Sequence, residues 1–295
     1  MSPPPVDRVG ALLVLASGVA FGTNAVFAKL SYRADVNVAT FLAVRFCIAA
    51  AVLWLIARPS VTRRQLAPGL LMGLAYCGQA GFYFTALSFQ DASVTAVFQA
   101  ITPALVAIAA VVIGREAARA RVFVSVGVAA LGMVAVALGG GSVGKVTTLG
   151  LVLALSSAVW YSVYLLVGDR VVRTVEPLVL ATLVATGGGV GFAVGAVALG
   201  QLQFDFQPIG WIWLIASAAI STVIAVTAVM AGMKRIGPSL TGILATFEPV
   251  ATTAFAFVIF DERLTAWQAA GAALVFGAVV AVQLPGRRAA TVPDR

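Results

Sequence analysis

Apolar runs long enough to cross a bilayer follow one another along the chain, near 9–30, 38–57, 67–88, 93–114, 121–139, 147–168, 178–200, 209–233, 238–260 and 266–284. Each is close to the roughly 20 residues a helix needs to span hydrocarbon. The pattern predicts an all-α integral membrane protein of ten transmembrane helices, with almost nothing left for a soluble domain.

The pattern also repeats. Ile101 onward reads ITPALVAIAAVVIGREAARARVFVSVGVAALG, and Phe247 onward reads FEPVATTAFAFVIFDERLTAWQAAGAALV, so that Pro103 matches Pro249 and Glu116 matches Glu262 at a spacing of 146 residues. Five helices per copy is an odd number, so the second copy enters the membrane upside down. The expected architecture is two inverted five-helix repeats, residues 1–141 and 142–295, a design used by carriers. The Gly-rich stretch GGGSVGKVTT, beginning at Gly139, is the expected linker.

Composition narrows the function classes. With 61% hydrophobic and 10% charged residues the chain lies far from the soluble mix. A net charge of +8 would point to nucleic acid in a soluble protein, but here the basic residues sort by loop. With a cytoplasmic N-terminus, Arg8, Arg58, Arg63, Arg64, Arg115, Arg119, Arg121, Arg170, Arg173, Lys234, Arg235, Arg287, Arg288 and Arg295 fall inside, against Lys29, Arg33, Lys145 and Arg263 outside. The positive-inside bias therefore places both termini in the cytoplasm and removes the case for a nucleic-acid partner. The polar, Pro-rich opening MSPPPVDRVG does not look like a signal peptide, so the first run is expected to be a retained helix. No His and two Cys, Cys47 and Cys77, offer no zinc or haem site, and no cofactor is expected.

Glu248 is the most costly side chain, since a carboxylate near a helix centre disfavours insertion by roughly 2.5–3.5 kcal/mol. It must face protein or water. Arg45, deep in the second run, is the other charge well inside a span. Two readings of Glu248 stand side by side: a structural ion pair with Arg45, or a proton carrier or seat for a cationic substrate group.

Polar stripes locate a cavity. Thr95, Gln99 and Thr102 share one helical face, and their counterparts are Thr241, Ala245 and Glu248. Ser17, Phe21 and Asn24 correspond in the same way to Ser157, Tyr161 and Tyr164. Tyr76, Gln79 and Tyr83 add a third face. Lipid offers these groups no partner, so the stripes should converge. Trp160 is a further candidate for an aromatic wall, Trp211 and Trp213 are expected as interfacial anchors, and Pro103 and Pro249 as kinks. Glu116 and Glu262 are expected to cap or pair at helix ends, with Arg119 or Arg263 as partners. Gly18 and Gly22, and Gly187, Gly191 and Gly195, should allow close helix packing within the chain, a homodimer face being the alternative.

Together with FLAVRFCIAA at Phe41 and YFTALSFQDASVTAVFQAITP at Tyr83, the repeated stretches resemble the two EamA-type repeats of the drug/metabolite transporter superfamily. The most specific matches are Glu248–Pro249, Asp261 to Arg263, and Arg45–Phe46, while Thr102 and Arg115 depart from the pattern. The resemblance implies a ten-helix carrier that moves small metabolites, often outward, by alternating access. The expected function is export or exchange of a small polar metabolite such as an amino acid across a bacterial inner membrane, the substrate binding among Asn24, Tyr76, Gln79, Tyr83, Gln99, Thr102, Tyr161, Tyr164 and Glu248. A multidrug or lipid-linked substrate exporter is the runner-up. An enzyme would need a metal cluster or a nucleophile with its base, and this chain offers neither.

Overall fold

The computed structural model describes residues 7–114, 120–139 and 146–283. Glu116 and most of the expected linker lie outside these residues. The described chain is helical from end to end: α1 Arg8–Arg33, α2 Val38–Ala57, α3 Arg63–Phe89, α4 Ala92–Gln99, α5 Thr102–Val112, α6 Ala120–Leu138, α7 Thr148–Thr174, α8 Pro177–Ala198, α9 Ile209–Ala218, a π-helical turn Ala219–Ile224, α10 Ala225–Ala245, α11 Phe247–Phe260 and α12 Ala266–Gln283. Eight segments are long and apolar enough to span a bilayer, and two shorter apolar helices, Val122–Leu138 and Ala266–Ala281, complete ten.

Helix ends follow local chemistry. The Asp7 carboxylate accepts from the Val9 and Gly10 amides to cap α1, and its carboxyl is held below the usual range, chiefly by the Gly10 N–H. The Asn37 side chain caps α2 through the Thr40 amide at 2.7 Å, and Thr147 caps α7 through the Gly150 amide at 3.0 Å. Gly237 takes φ 78°, ψ 165°, a region open to glycine alone. The backbone turns there, where the sequence pattern separates the eighth and ninth runs.

The packing carries the pseudo-symmetry. Counted as spans, α3 lies against α7 and α8, just as α10 lies against α1 and α9 against α2. The α4–α5 span packs on α7, and its counterpart α11 packs on α1. Two contacts map onto themselves, α2 with α8 and α6 with α12. Exchanging first and second halves therefore reproduces the contact pattern, as inverted repeats require.

Glycine allows the closest approaches. A Cβ on Gly22 would lie 2.8 Å from Ala251 Cβ and 3.1 Å from the Thr252 nitrogen, so α1 and α11 touch backbone to backbone. Gly187 meets Gly73 in the same way between α8 and α3, and Gly132 and Gly271 meet each other between α6 and α12. The glycine stripes thus serve packing within the chain, Gly195 excepted, beside which space is open.

Candidate substrate site

The two spans expected to kink at proline are interrupted just before it. The α4–α5 span breaks at Ala100 and Ile101, and the α10–α11 span at Thr246. Pro103 and Pro249 then fall in the first turns of α5 and α11, where a missing N–H leaves no backbone bond unmade. This corrects the expectation of a kink inside a continuous helix. It also gives Thr102 and Glu248 equivalent places in the first turns of half-helices. A carboxylate there is favoured by the N-terminal end of the helix dipole.

Glu248 is held at this spot by α1. A Cβ on Gly18 would lie 3.5 Å from the Glu248 amide nitrogen, so Glu248 meets α1 at the level of Gly18. The residue is only partly buried. The ion pairs among the described residues join Lys29 to Asp91 and Glu262, Arg173 to Asp169, Lys234 to Glu176, Arg235 to Asp7 and Arg263 to Asp261. Neither Arg45 nor Glu248 takes part in them.

Arg45 turns elsewhere. Its Nη1 donates to Asn24 Oδ1 at 2.6 Å and its Nη2 to Thr222 Oγ1 at 3.3 Å. The guanidinium lies 4.9 Å from the Phe84 ring centroid and 5.0 Å from that of Phe46. It is 3% exposed. The expected Arg45–Glu248 pair is therefore replaced by an Arg45–Asn24–Thr222 cluster sealed by aromatic faces. Geometry explains the difference: on α1, Asn24 stands six residues beyond Gly18, about 9 Å along the axis at 1.5 Å per residue. The two charges sit at different levels of the bundle.

An aromatic cluster adjoins Arg45 through Phe46. Tyr76 packs edge-on against Tyr164, with centroids 5.6 Å apart, and against Tyr161 at 6.3 Å. Tyr161 and Tyr164 stack at 5.8 Å. Phe46 bridges Tyr76 and Phe192. Asn24, Tyr76, Tyr83, Gln99, Tyr161, Tyr164 and Glu248 are all partly exposed; Tyr76 and Tyr161 come from α3 and α7, which pack on each other, and Glu248 from α11, which packs on α1.

The other predicted residues are committed to one another. Gln79 Nε2 donates to Ser157 Oγ at 3.3 Å, and Ser157 Oγ reaches Gln99 Oε1 at 2.9 Å. Thr102 Oγ1 donates to the Gln99 carbonyl at 2.8 Å. Gln79 and Thr102 are buried, so this network ties α3, α4, α5 and α7 together behind the tyrosines. Trp160 is not part of the wall: its Nε1 donates to the Ala75 carbonyl at 2.7 Å and its ring faces outward, 46% exposed. Trp213 stacks on Phe27, and Trp211 on Phe204.

Glu262 is a helix cap, but its partner is Lys29 at 2.7 Å rather than Arg263. Its oxygens also accept from the Ala92 and Ser93 amides and the Ser93 hydroxyl. Thr222 is absent from the sequence-derived set. It lies in the π-helical turn, a feature that recurs at functional sites, and it stands 146 residues after Tyr76. The repeat spacing could have found it.

A ten-helix bundle of two inverted repeats, with polar and aromatic side chains from both halves meeting inside it, defines a membrane-embedded carrier. The sequence profile of the EamA-like transporter family matches residues 8–138 and again 148–284, and the chain belongs to that family. It is a multi-pass membrane transporter. A search of curated proteins finds no match. Among solved structures, one described only as the crystal structure of a protein aligns over 92% of this chain and 95% of its own, with 23% identity and a TM-score of 0.64. At that identity the likeness shows the fold alone.

Proposed function

We propose that the chain is a secondary carrier that exports or exchanges a small polar metabolite across a bacterial inner membrane by alternating access, and is not an enzyme. The halves 1–141 and 142–295 are the moving units, and the Lys and Arg distribution favours cytoplasmic termini. The observation that carries the reading is a partly exposed carboxylate, Glu248, in the first turn of a half-helix that packs on α1. Discontinuous helices of this kind bind substrates and coupling ions in carriers. No nucleotide-binding motif supplies energy, so a proton or substrate gradient drives the cycle.

Glu248→Gln in proteoliposomes tests the proton role. Flux coupled to an imposed pH difference should fall at least tenfold while exchange of substrate at equal pH persists. Unchanged coupling would remove Glu248 as the proton carrier.

One observation favours a second reading, a multidrug or lipid-linked exporter. A groove of about 260 Å³ is lined by Leu15, Leu244, Thr246, Phe247, Val250, Phe276 and Val280. Such an apolar recess would suit a substrate entering sideways from the bilayer. Competition of flux by lipophilic solutes separates the two.

A further inference from the structure

Glu262 closes one end of the bundle with a full set of donors. Its carboxylate takes the Lys29 ammonium at 2.7 Å, the Ala92 amide at 3.2 Å, and the Ser93 amide and hydroxyl at 3.1 and 3.0 Å. Lys29 also reaches Asp91 at 3.7 Å. Three elements are tied at once: α1, the first turn of α4 and the connection from α11 to α12. Removing partners from a buried carboxylate is costly, so parting α4 from α11 at this end means giving up several charge-assisted bonds together.

The repeat gives this cluster a counterpart at the opposite end. At the spacing of 146 residues Glu262 corresponds to Glu116, Ala92 to Pro238 and Ser93 to Ser239. At the spacing of 140 that relates Ser17 of α1 to Ser157 of α7, Lys29 corresponds to Asp169. Proline has no N–H to donate, and an aspartate repels the carboxylate that a lysine holds. Two of the four donors are therefore missing from the sequence of the second cluster, and Asp169 is itself engaged by Arg173 at 3.0 Å. A further tie follows the same rule. Tyr32 donates to the Phe84 carbonyl at 2.9 Å and joins α1 to α3, whereas its equivalent, Val172, has no hydroxyl.

The packing is unequal in the same sense. The two interrupted spans meet at the Glu262 end, where α4 packs on α11. Their remaining parts are α5 and the last turns of α10, and no comparable packing joins these among the described residues.

Resting on the carrier reading above, we infer that Glu262 is the lock of one mouth and that the other mouth has no equal, so that the protein rests shut at the α4–α11 end and parted at the α5–α10 end. With cytoplasmic termini the shut end is the outer one. A solute then enters first from the cytoplasm, and breaking the Glu262 cluster is the step that lets it out.

Hydrogen exchange of the purified full-length protein in lipid nanodiscs reads both ends at once, through peptides covering 90–99 and 238–246. Glu262→Gln should speed exchange in the first and slow it in the second, each at least threefold, because the two states are alternatives and favouring one depopulates the other. A mere helix cap would loosen the first peptide and leave the second as it was. Asp169→Lys, which supplies the missing cation at the far end without touching the lock, should move both peptides in the same directions. Thermal unfolding establishes that each variant is folded. Unchanged exchange over 238–246 in Glu262→Gln, or faster exchange at both ends, overturns the inference; should that variant not fold, Asp169→Lys decides by the same criterion. Flux of amines, amino acids and organic acids in liposomes keeps the two claims apart. Opposite shifts at the two ends without any flux would leave the lock standing and sink the carrier reading; flux without opposite shifts would do the reverse.

Discussion

Arg45 is a full charge with 3% of its surface exposed, inside a bundle read as lying in lipid. Its stability depends on the few neutral partners it has, and those are unequal. The Asn24 bond is short, 2.6 Å, and charge-assisted; the Thr222 bond is long, 3.3 Å, and Thr222 can also donate to the Ser217 carbonyl. Asn24→Leu should therefore destabilise the protein by about 1.5–3 kcal/mol, the range for hydrogen bonds to charged groups, and Thr222→Val by only about 0.6 kcal/mol, the average for interhelical bonds in membranes. Thermal unfolding in one detergent checks the order, and equal losses would mean that Asn24 does not hold the guanidinium. At this scale the polar pattern marked side chains that pair with one another: Asn24 with Arg45, Gln79 and Gln99 with Ser157, and Tyr76 with Tyr161 and Tyr164. Partner choice was not legible. Pairing Arg45 with Glu248 follows from charge alone, whereas the axial offset that separates them exists only once α1, α2 and α11 are packed.

Elements were legible where periodicity and length decide, and less so where the backbone changes pitch. The runs at 38–57 and 266–284 match α2 and α12 to within a residue. The interruptions at Ala100–Ile101 and Thr246 are different, because an apolar run reads the same whether its ladder is continuous or broken for one turn. Pro103 and Pro249 marked the places but not the form. The π-helical turn at Ala219–Ile224 gave no signal, since it adds one residue to a turn without changing hydrophobicity. Glycine contacts divide clearly and give a paired prediction. Gly22→Leu must push α1 from α11 beside Glu248, at a cost of about 1–3 kcal/mol for overpacking, and should abolish flux. Gly195→Ala, with nothing within 4 Å of the added Cβ, should leave flux intact and gain up to about 1 kcal/mol in helix propensity. Flux retained in Gly22→Leu would show that this crossing does not shape the site.

Across the whole molecule, Glu262 joins three elements at one end of the bundle. From the α11–α12 connection it binds Lys29 of α1 and the first amides of α4, with 6% of its side chain exposed. A double-mutant cycle of Lys29→Met and Glu262→Gln should give a coupling energy above about 1 kcal/mol, as for contacting residues in one network. Additive losses would mean that the pair is incidental. The ten-span inverted design was legible because duplication leaves a fixed spacing in the chain. The closure at Glu262 was not, for its partner lies 233 residues away, in the other half.

The Gly132–Gly271 crossing joins the last helix of each half, one of the two contacts that exchange of the halves maps onto itself. Points on such an axis stay still when the bundles on either side tilt in opposite senses. Under alternating access that seam is the fulcrum: a rigid staple between α6 and α12 should let turnover continue, whereas the same staple from Lys29 to Glu262 should arrest the protein with one mouth shut.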